Sequence, residues 1–387
     1  MHTATIELPS RWQPDLFADQ VALARFDVAT TPEIESALDS QAPVFIGVSG
    51  GKDSQALAYR LCDHLDNRGH AGPRLLIHSD LGRVEWRQSL PVCERLAARL
   101  GVELVVVRRQ AGDMMDRWLS RWEANVARYA NLECVKLILP WSTPSTRFCT
   151  AELKSAVIAS AMRRRFPTGD VVSAVGIRRE ESSVRARMPV WRRDERTVRK
   201  SGMGHTWNPI LGWSRADVID YVRSRGDRLH EASTTYGSTR VSCAFCIMGS
   251  EHDLRASAGC ADNVAIYREM VELEARSTFS FQGSRWLGDV APHLLDAPLL
   301  ARLQLAKERA GERQGAEACL PAHLLFTKGW PTVMPSKAEA RLIANVRRRV
   351  ADAVGLVVMH TDEAAVLARY AQLLRARHRG DLLMGVN

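Results

Sequence analysis

No apolar run in this 387-residue chain approaches the ~18 residues that a membrane-spanning helix needs. Residues 1–29 carry Glu7, Asp15, Asp19 and Asp27 and lack the apolar stretch of a secretory leader. These two absences predict a cytoplasmic protein with no membrane partner. There is no internal repeat and no low-complexity tract, which excludes solenoids and repeat arrays. A Walker-type Gly-x-x-x-x-Gly-Lys-Ser/Thr string is also missing, so any phosphate-binding loop must be of another kind.

What is present is ordinary in bulk. The hydrophobic fraction is 46%, enough for a sizeable core. At roughly 100–200 residues per domain the length suggests two domains, or one with an appendage. The formal net charge of +9 favours anionic partners, nucleotides or nucleic acid. Eight cysteines in a chain expected to stay in a reducing compartment argue against a disulfide framework. Those that cluster are candidates for metal or redox chemistry.

Residues 1–41 form a mixed lead-in, with Pro9, Pro14 and Pro32 interrupting any long helix. From residue 42 the pattern becomes regular. Apolar runs at 44–48, 75–78, 103–107 and 171–177 predict buried strands. Helical periodicity occupies 54–67, 84–100, 111–130 and 152–165 between them. Strands alternating with helices predict an α/β fold, a doubly wound parallel sheet with its loops on the rim at the strand C-termini. Residues 178–200 hold nine Arg/Lys and four Asp/Glu and are expected to be a mobile loop. Ser214 should cap a short helix over 214–224, with Trp213 packing beneath it. Residues 263–387 read as a helical C-terminal region, after a central domain at 42–262.

The most informative string is Ser49-Gly50-Gly51-Lys52-Asp53-Ser54, between a strand and a helix. Glycines there let backbone N–H groups face inward, and the following helix contributes its unpaired N–H groups and positive end. Ser49 and Ser54 offer hydroxyls, and Lys52 offers charge neutralisation. The string resembles the signature of the ATP pyrophosphatases, whose fold is called adenine nucleotide α-hydrolase-like. That resemblance implies cleavage of ATP to AMP and pyrophosphate, with Mg2+, and a catalytic part for Lys52 and Asp53.

Cys243-Ala244-Phe245-Cys246 is a Cys-x-x-Cys pair, followed by Cys260 and preceded far upstream by Cys149. Four thiolates suit a 4Fe-4S cluster or an all-cysteine zinc site, and the residues alone do not choose between them. Arg147-Phe148-Cys149-Thr150-Ala151-Glu152-Leu153-Lys154 resembles the Arg-x-Cys-Thr-x-x-Leu-Lys segment of the phosphoadenosine phosphosulfate (PAPS) reductase branch. The resemblance, running from about residue 43 to about 262, implies a 4Fe-4S cluster on Cys149, Cys243, Cys246 and Cys260, with zinc as the alternative. Phe148 stands where assimilatory members often carry a second cysteine. Cys62, Cys93 and Cys134 lie in apolar segments and are expected in the core.

Two further strand ends should line the nucleotide. His78-Ser79-Asp80-Leu81-Gly82 places Ser79 and Asp80 on the rim, where either a nucleotide contact or a helix cap would occupy them. Gly176-Ile177-Arg178-Arg179-Glu180-Glu181-Ser182 resembles the branch's Gly-x-Arg-x-x-Glu-Ser segment. It makes Gly176 a point of close backbone approach, with Arg178 and Arg185 as contacts to a phosphate or sulfate of the substrate.

Within the branch three activities compete. One is sulfur transfer to DNA, as in the DndC/SspD-type phosphorothioation proteins, with DNA, a cysteine desulfurase or other sulfur donor and further modification proteins as partners. The second is an assimilatory PAPS or adenylylsulfate reductase, which resolves its chemistry with a Glu-Cys-Gly-x-His motif that this sequence lacks. The third is a nucleotide-sensing module. An intact loop and the missing motif favour the first, and Arg192, Arg193, Arg196 and Arg199 would then track DNA phosphates.

Overall fold

The computed structural model describes residues 25–198 and 200–384. Most of the expected lead-in (1–24, including Pro9 and Pro14) and Arg199 lie outside the described residues. In chain order the helices are α1 (Pro32–Asp39), α2 (Lys52–Asn67), α3 (Ser89–Leu100), α4 (Met114–Ala130), α5 (Ala156–Arg165) and α6 (Arg215–Ser224). They continue with α7 (Glu251–Ala258), α8 (Val264–Ser277), α9 (Ala297–Ala318), α10 (Lys337–Val354) and α11 (Glu363–Met384). The strands are β1 (Val44–Val48), β2 (Arg74–Asp80), β3 (Glu103–Arg108), β4 (Val171–Ala174), β5 (Trp191–Arg193) and β6 (Gly204–Trp207).

All six strands join one sheet in the order β3-β2-β1-β4-β6-β5. β1 runs parallel to β2 and β4, β4 runs parallel to β6, and β5 closes the edge antiparallel. The sequence alternation explains the two covered faces. Val44, Ile46 and Val48 point to one side with Leu76, Val172 and Ala174, against α1, α2, α3 and α6. Phe45, Leu75, Ile77 and Val171 point to the other, against Ala161 and Met162 of α5. Each fully buried Val, Leu, Ile, Phe or Met side chain among these contributes about 1.5–3 kcal/mol. The expected doubly wound α/β fold is therefore found. Strand order reverses at β1, between β2 and β4, which is where ligands bind in sheets of this kind.

Local departures have local causes. Pro32 opens α1 instead of breaking it, because its missing N–H falls where a helix needs none. The helix expected from Val84 begins only at Ser89, after a 3-10 turn at Gly82–Val84, and Pro91 sits in its first turn. The basic segment is a correction. It contains a helical turn at Ser183–Ala186 and the strand β5, paired Trp191 to Trp207 and Arg193 to His205. An edge at β6 would otherwise present unpaired backbone groups, so pairing overrides the loop-like composition. Ser214 caps α6 as expected, in a capping box with Asp217, and Trp213 is buried.

The chain divides into two compact units, each discontinuous in sequence. The first comprises Met1–Ser79, Gln88–Val107 and Ala156–Glu231 and carries nearly all of the sheet. The second comprises Asp80–Arg87, Arg108–Ser155 and Ala232–Asn387 and is helical. Its core is rich in aromatics: Trp141 meets Trp118 and Phe281 edge-on, at 5.3 and 5.2 Å between ring centres. Cys134 lies in that core, and Cys62 and Cys93 lie in the core of the first unit. Among the described residues no helix is long and apolar enough to cross a membrane.

Candidate functional site

In the first unit β1 stops at Val48 and α2 starts at Lys52, leaving residues 49–51 as the turn. Gly50 sits at φ +74°, a left-handed value that favours glycine. Gly51 occupies the N-cap of α2 and supplies no side-chain cap to the first-turn amides. The turn is held from within: Ser49 N–H donates to Ser54 Oγ (3.1 Å), and Ser54 Oγ donates to Gly51 C=O (2.8 Å). The result is a rigid loop opening onto the positive end of a sixteen-residue helix, an arrangement suited to phosphate oxygens.

Asp53 lies between two cations. Lys52 Nζ is 2.8 Å from its carboxylate and Arg178 Nε is 2.6 Å away. Arg178, only 4% exposed, also pairs with Glu180. Its guanidinium, expected at the substrate, is thus committed to fixing Asp53 at the helix start. Gly176 makes a close approach, but to the protein's own backbone: a Cβ there would stand 2.9 Å from Asp53 C=O. Arg185 is half-buried and pairs with Glu181. Residues 49–54, Gly176 and Arg178 are therefore brought together around one helix N-terminus.

The β2 end is split between the two units. Ser79 is buried and ends the first stretch of the first unit. Asp80 opens the second unit, where its carboxylate accepts from Gly82 N–H (2.7 Å) and from Arg108 Nε (3.1 Å). Of the two uses expected for Asp80, the turn-capping one is visible.

All four candidate ligand cysteines belong to the second unit. Cys149 lies in the middle of a helical turn, Phe148–Thr150, that passes into a π-helical turn at Ala151–Ser155, a rare geometry frequent at functional sites. Phe148 beside it lies under two guanidinium groups, Arg117 at 4.7 Å and Arg121 at 5.0 Å from the ring centre. Cys243 bridges in antiparallel fashion to Glu85, and Cys246 N-terminal to α7 accepts from Met248 N–H (3.4 Å). Burial pushes the Cys243 thiol up to about 12, helped by the nearby Cys246 and Cys149 and opposed by Lys154. Three of the four thiols thus share one electrostatic neighbourhood. Cys260 is buried in the apolar core after α7. Among the described residues no group of three or more His, Cys, Asp or Glu side chains is arranged to hold a metal ion.

Several site residues carry no motif. Ser89, Asp227 and His230 are buried next to the phosphate loop or its helix, yet lie 35, 173 and 176 residues beyond Ser54 in the chain, separations that no local pattern records. The basic segment is internally matched in part, with Arg196 paired to Asp194 (2.8 Å) and Arg193 to Glu195 (2.5 Å).

The chain belongs to the phosphoadenosine phosphosulfate reductase domain family, whose model matches residues 43–246, just over half of the sequence. An uncharacterized 37.8 kDa protein from the gpa 5′ region of Escherichia phage 186 is 26% identical over 212 residues. That match covers 53% of this chain and 59% of the phage protein, so the chain spans less than two thirds of that relative. Among solved structures, the phosphate complex of PAPS reductase from Candida auris is 13% identical, with a TM-score of 0.37 over 61% of this chain and 98% of that one. The U34-tRNA thiolase NcsA from Methanococcus maripaludis, with its 4Fe-4S cluster, is 13% identical, with a TM-score of 0.31 over 67% of this chain and 80% of that one.

Proposed function

We propose that this protein is an ATP pyrophosphatase that activates a target for sulfur transfer, and that the target is DNA. The observation that carries the reading is the loop at residues 49–54, at the C-terminal end of β1 where strand order reverses, with an N-cap that offers no competing side chain. Family membership supports the nucleotide and sulfur themes. The amides of the loop and the first turn of α2 hold the β and γ phosphates. Lys52 neutralises charge that builds on the leaving pyrophosphate, while Arg178 fixes Asp53 and through it the orientation of Lys52. An oxygen of the target attacks the α-phosphorus, the bond to the bridging oxygen breaks, and pyrophosphate leaves. The outer sulfur of a persulfide carried by a cysteine desulfurase or another donor then attacks the activated target phosphorus and AMP leaves. A thiol reductant cleaves the remaining S–S bond, leaving the sulfur on the target and the donor cysteine in a mixed disulfide. Bound Mg2+ would screen the phosphate charge.

Cys149, Cys243, Cys246 and Cys260 are the proposed ligands of a 4Fe-4S cluster, with zinc as the alternative. The Cys243 thiol, raised by burial and then by Cys246 and Cys149, would need a positive charge such as a metal's to ionise near pH 7. The side chains as they stand are not arranged as a metal-holding group, so binding requires the four cysteines to move closer together. A bound cluster would supply redox-active iron and sulfide.

Anaerobically purified protein incubated with ATP and Mg2+ should yield AMP and pyrophosphate and should contain iron. ADP and orthophosphate as products would refute the pyrophosphatase reading, and stoichiometric zinc without iron would refute the cluster. Mass spectrometry of DNA from cells with and without the gene tests the acceptor, and equal sulfur in both would remove DNA from the proposal.

A further inference from the structure

The first unit contains a polar network beneath the phosphate loop that the proposed reaction does not use. Asp227, 8% exposed, accepts hydrogen bonds from Gln55 Nε2 (3.2 Å), Tyr59 Oη (3.0 Å) and Arg95 Nε (3.0 Å). Gln55 Nε2 also donates to Arg228 C=O at 3.0 Å. Gln55 and Tyr59 are one turn apart on α2, the helix whose N-terminus forms the site. Three residues further along, fully buried His230 places Nε2 3.4 Å from the hydroxyl of Ser89, the first residue of α3. The imidazole and Ser89 both lie close to Gly50 of the loop. A Cβ on Gly50 would stand 2.9 Å from Ser89 C=O and 3.2 Å from His230 Cδ2.

We propose that residues 227–230 brace the phosphate loop, and that Asp227 and His230 are positioning residues for ATP cleavage. Asp227 fixes where the first two turns of α2 lie, and His230 with Ser89 fixes how Gly50 turns. The inference about turnover rests on reading residues 49–54 as an ATP loop. The physical need is clear: amides act on a phosphate only if they are already aimed, and a misplacement of about 1 Å can cost on the order of 100-fold in rate. The brace adds no net charge under the anion site. Arg95 matches Asp227, and burial followed by Arg95 holds the His230 imidazole down at about 4, so it stays neutral near pH 7.

The test uses the full chain and two independent readouts. Hydrogen exchange of peptides covering residues 49–54 is followed without nucleotide, and kcat and KM for pyrophosphate release are measured with ATP. His230→Ala should speed exchange at 49–54 and lower kcat by about 10- to 100-fold, with a smaller change in KM. His230→Gln, which restores a polar contact to Ser89, should recover most of the rate, and Asp227→Asn should lie between. If His230→Ala does not fold, Ser89→Ala removes the same contact and is read the same way. Wild-type exchange at 49–54 and wild-type kcat in a folded His230→Ala or Ser89→Ala protein would overturn the brace. If the wild type itself releases no pyrophosphate, the ATP reading fails, and the exchange result alone then decides the brace.

Discussion

Two of the buried arginines, one from each unit, put charge to different uses. Arg178 in the first unit pairs with carboxylates, Asp53 and Glu180, at the start of α2. Arg347 in the second unit is fully buried and donates to four backbone carbonyls: Tyr129 (2.7 Å), Ala130 (3.0 Å), Met359 (2.5 Å) and His360 (3.2 Å). Two of those carbonyls belong to the C-terminal end of α4, where a helix has acceptors to spare. Arg347 therefore ties α10 to a helix end and to the segment before α11. Glu274 does the complementary work on α8, accepting from the N–H groups of Phe281 (2.7 Å), Leu287 (2.7 Å) and Gly288 (3.0 Å). In the second unit Arg347 and Glu274 close loops onto helices, while the equally buried Arg313 pairs with Glu317 within α9. In the first, Arg178 orders side chains around an anion-ready turn. What satisfies a buried ionisable group is therefore what separates the two: Arg347 holds backbone in place, and Arg178 holds another side chain at the start of α2.

Lys52→Ala should lower pyrophosphate release by about 100- to 1000-fold while the melting temperature changes little, and Asp53→Ala should match that loss and also lower the melting temperature, because it leaves buried Arg178 with Glu180 alone. A large loss of stability with activity retained per folded molecule would move these residues into the scaffold class. Arg347→Met should do the reverse. It leaves buried carbonyls unpaired and should cost about 3 kcal/mol or more in denaturant unfolding, with pyrophosphate release unchanged at temperatures where the variant is folded.

Glu274 sharpens the contrast through pH. Burial pushes its carboxyl up to about 8 from an ordinary 4.5, although the three N–H donors pull the other way. The folded protein then holds a proton that the unfolded chain has released. Its contribution is fully present below about pH 4.5 and is lost as pH rises through about 8. The melting temperature should fall across that window, and Glu274→Gln should flatten the fall. A wild-type melting curve that rises over the same window would reverse the assignment.

The smallest effect is expected in the basic segment. If it tracks DNA phosphates, each contact adds a log–log salt slope of about −0.9 on duplex. Arg196 and Arg193 are already paired with Asp194 and Glu195, so replacing Arg192, Arg193, Arg196 and Arg199 by Ala should flatten the slope by fewer than four contacts. An unchanged slope in a duplex titration would take this segment off the DNA-binding surface.

Composition and periodicity were enough to make the α/β class, the strand–turn–helix around residues 49–54 and the capping of α6 by Ser214 legible. Each depends on neighbours within a few residues, and near-neighbour chemistry is written in order along the chain. The partner of Arg178 was not legible, because Asp53 lies in another element and only the packing of β4 beside β1 brings them together. The same holds for β5, whose composition suits a loop until β6 offers it an edge. Sequence by itself determined which residue types stand at strand ends and helix starts. Tertiary structure alone decided which charges meet, which thiols share a neighbourhood, and that Asp227 and His230 lie beneath a loop far from them in the chain, since those contacts follow from packing and leave no periodic trace.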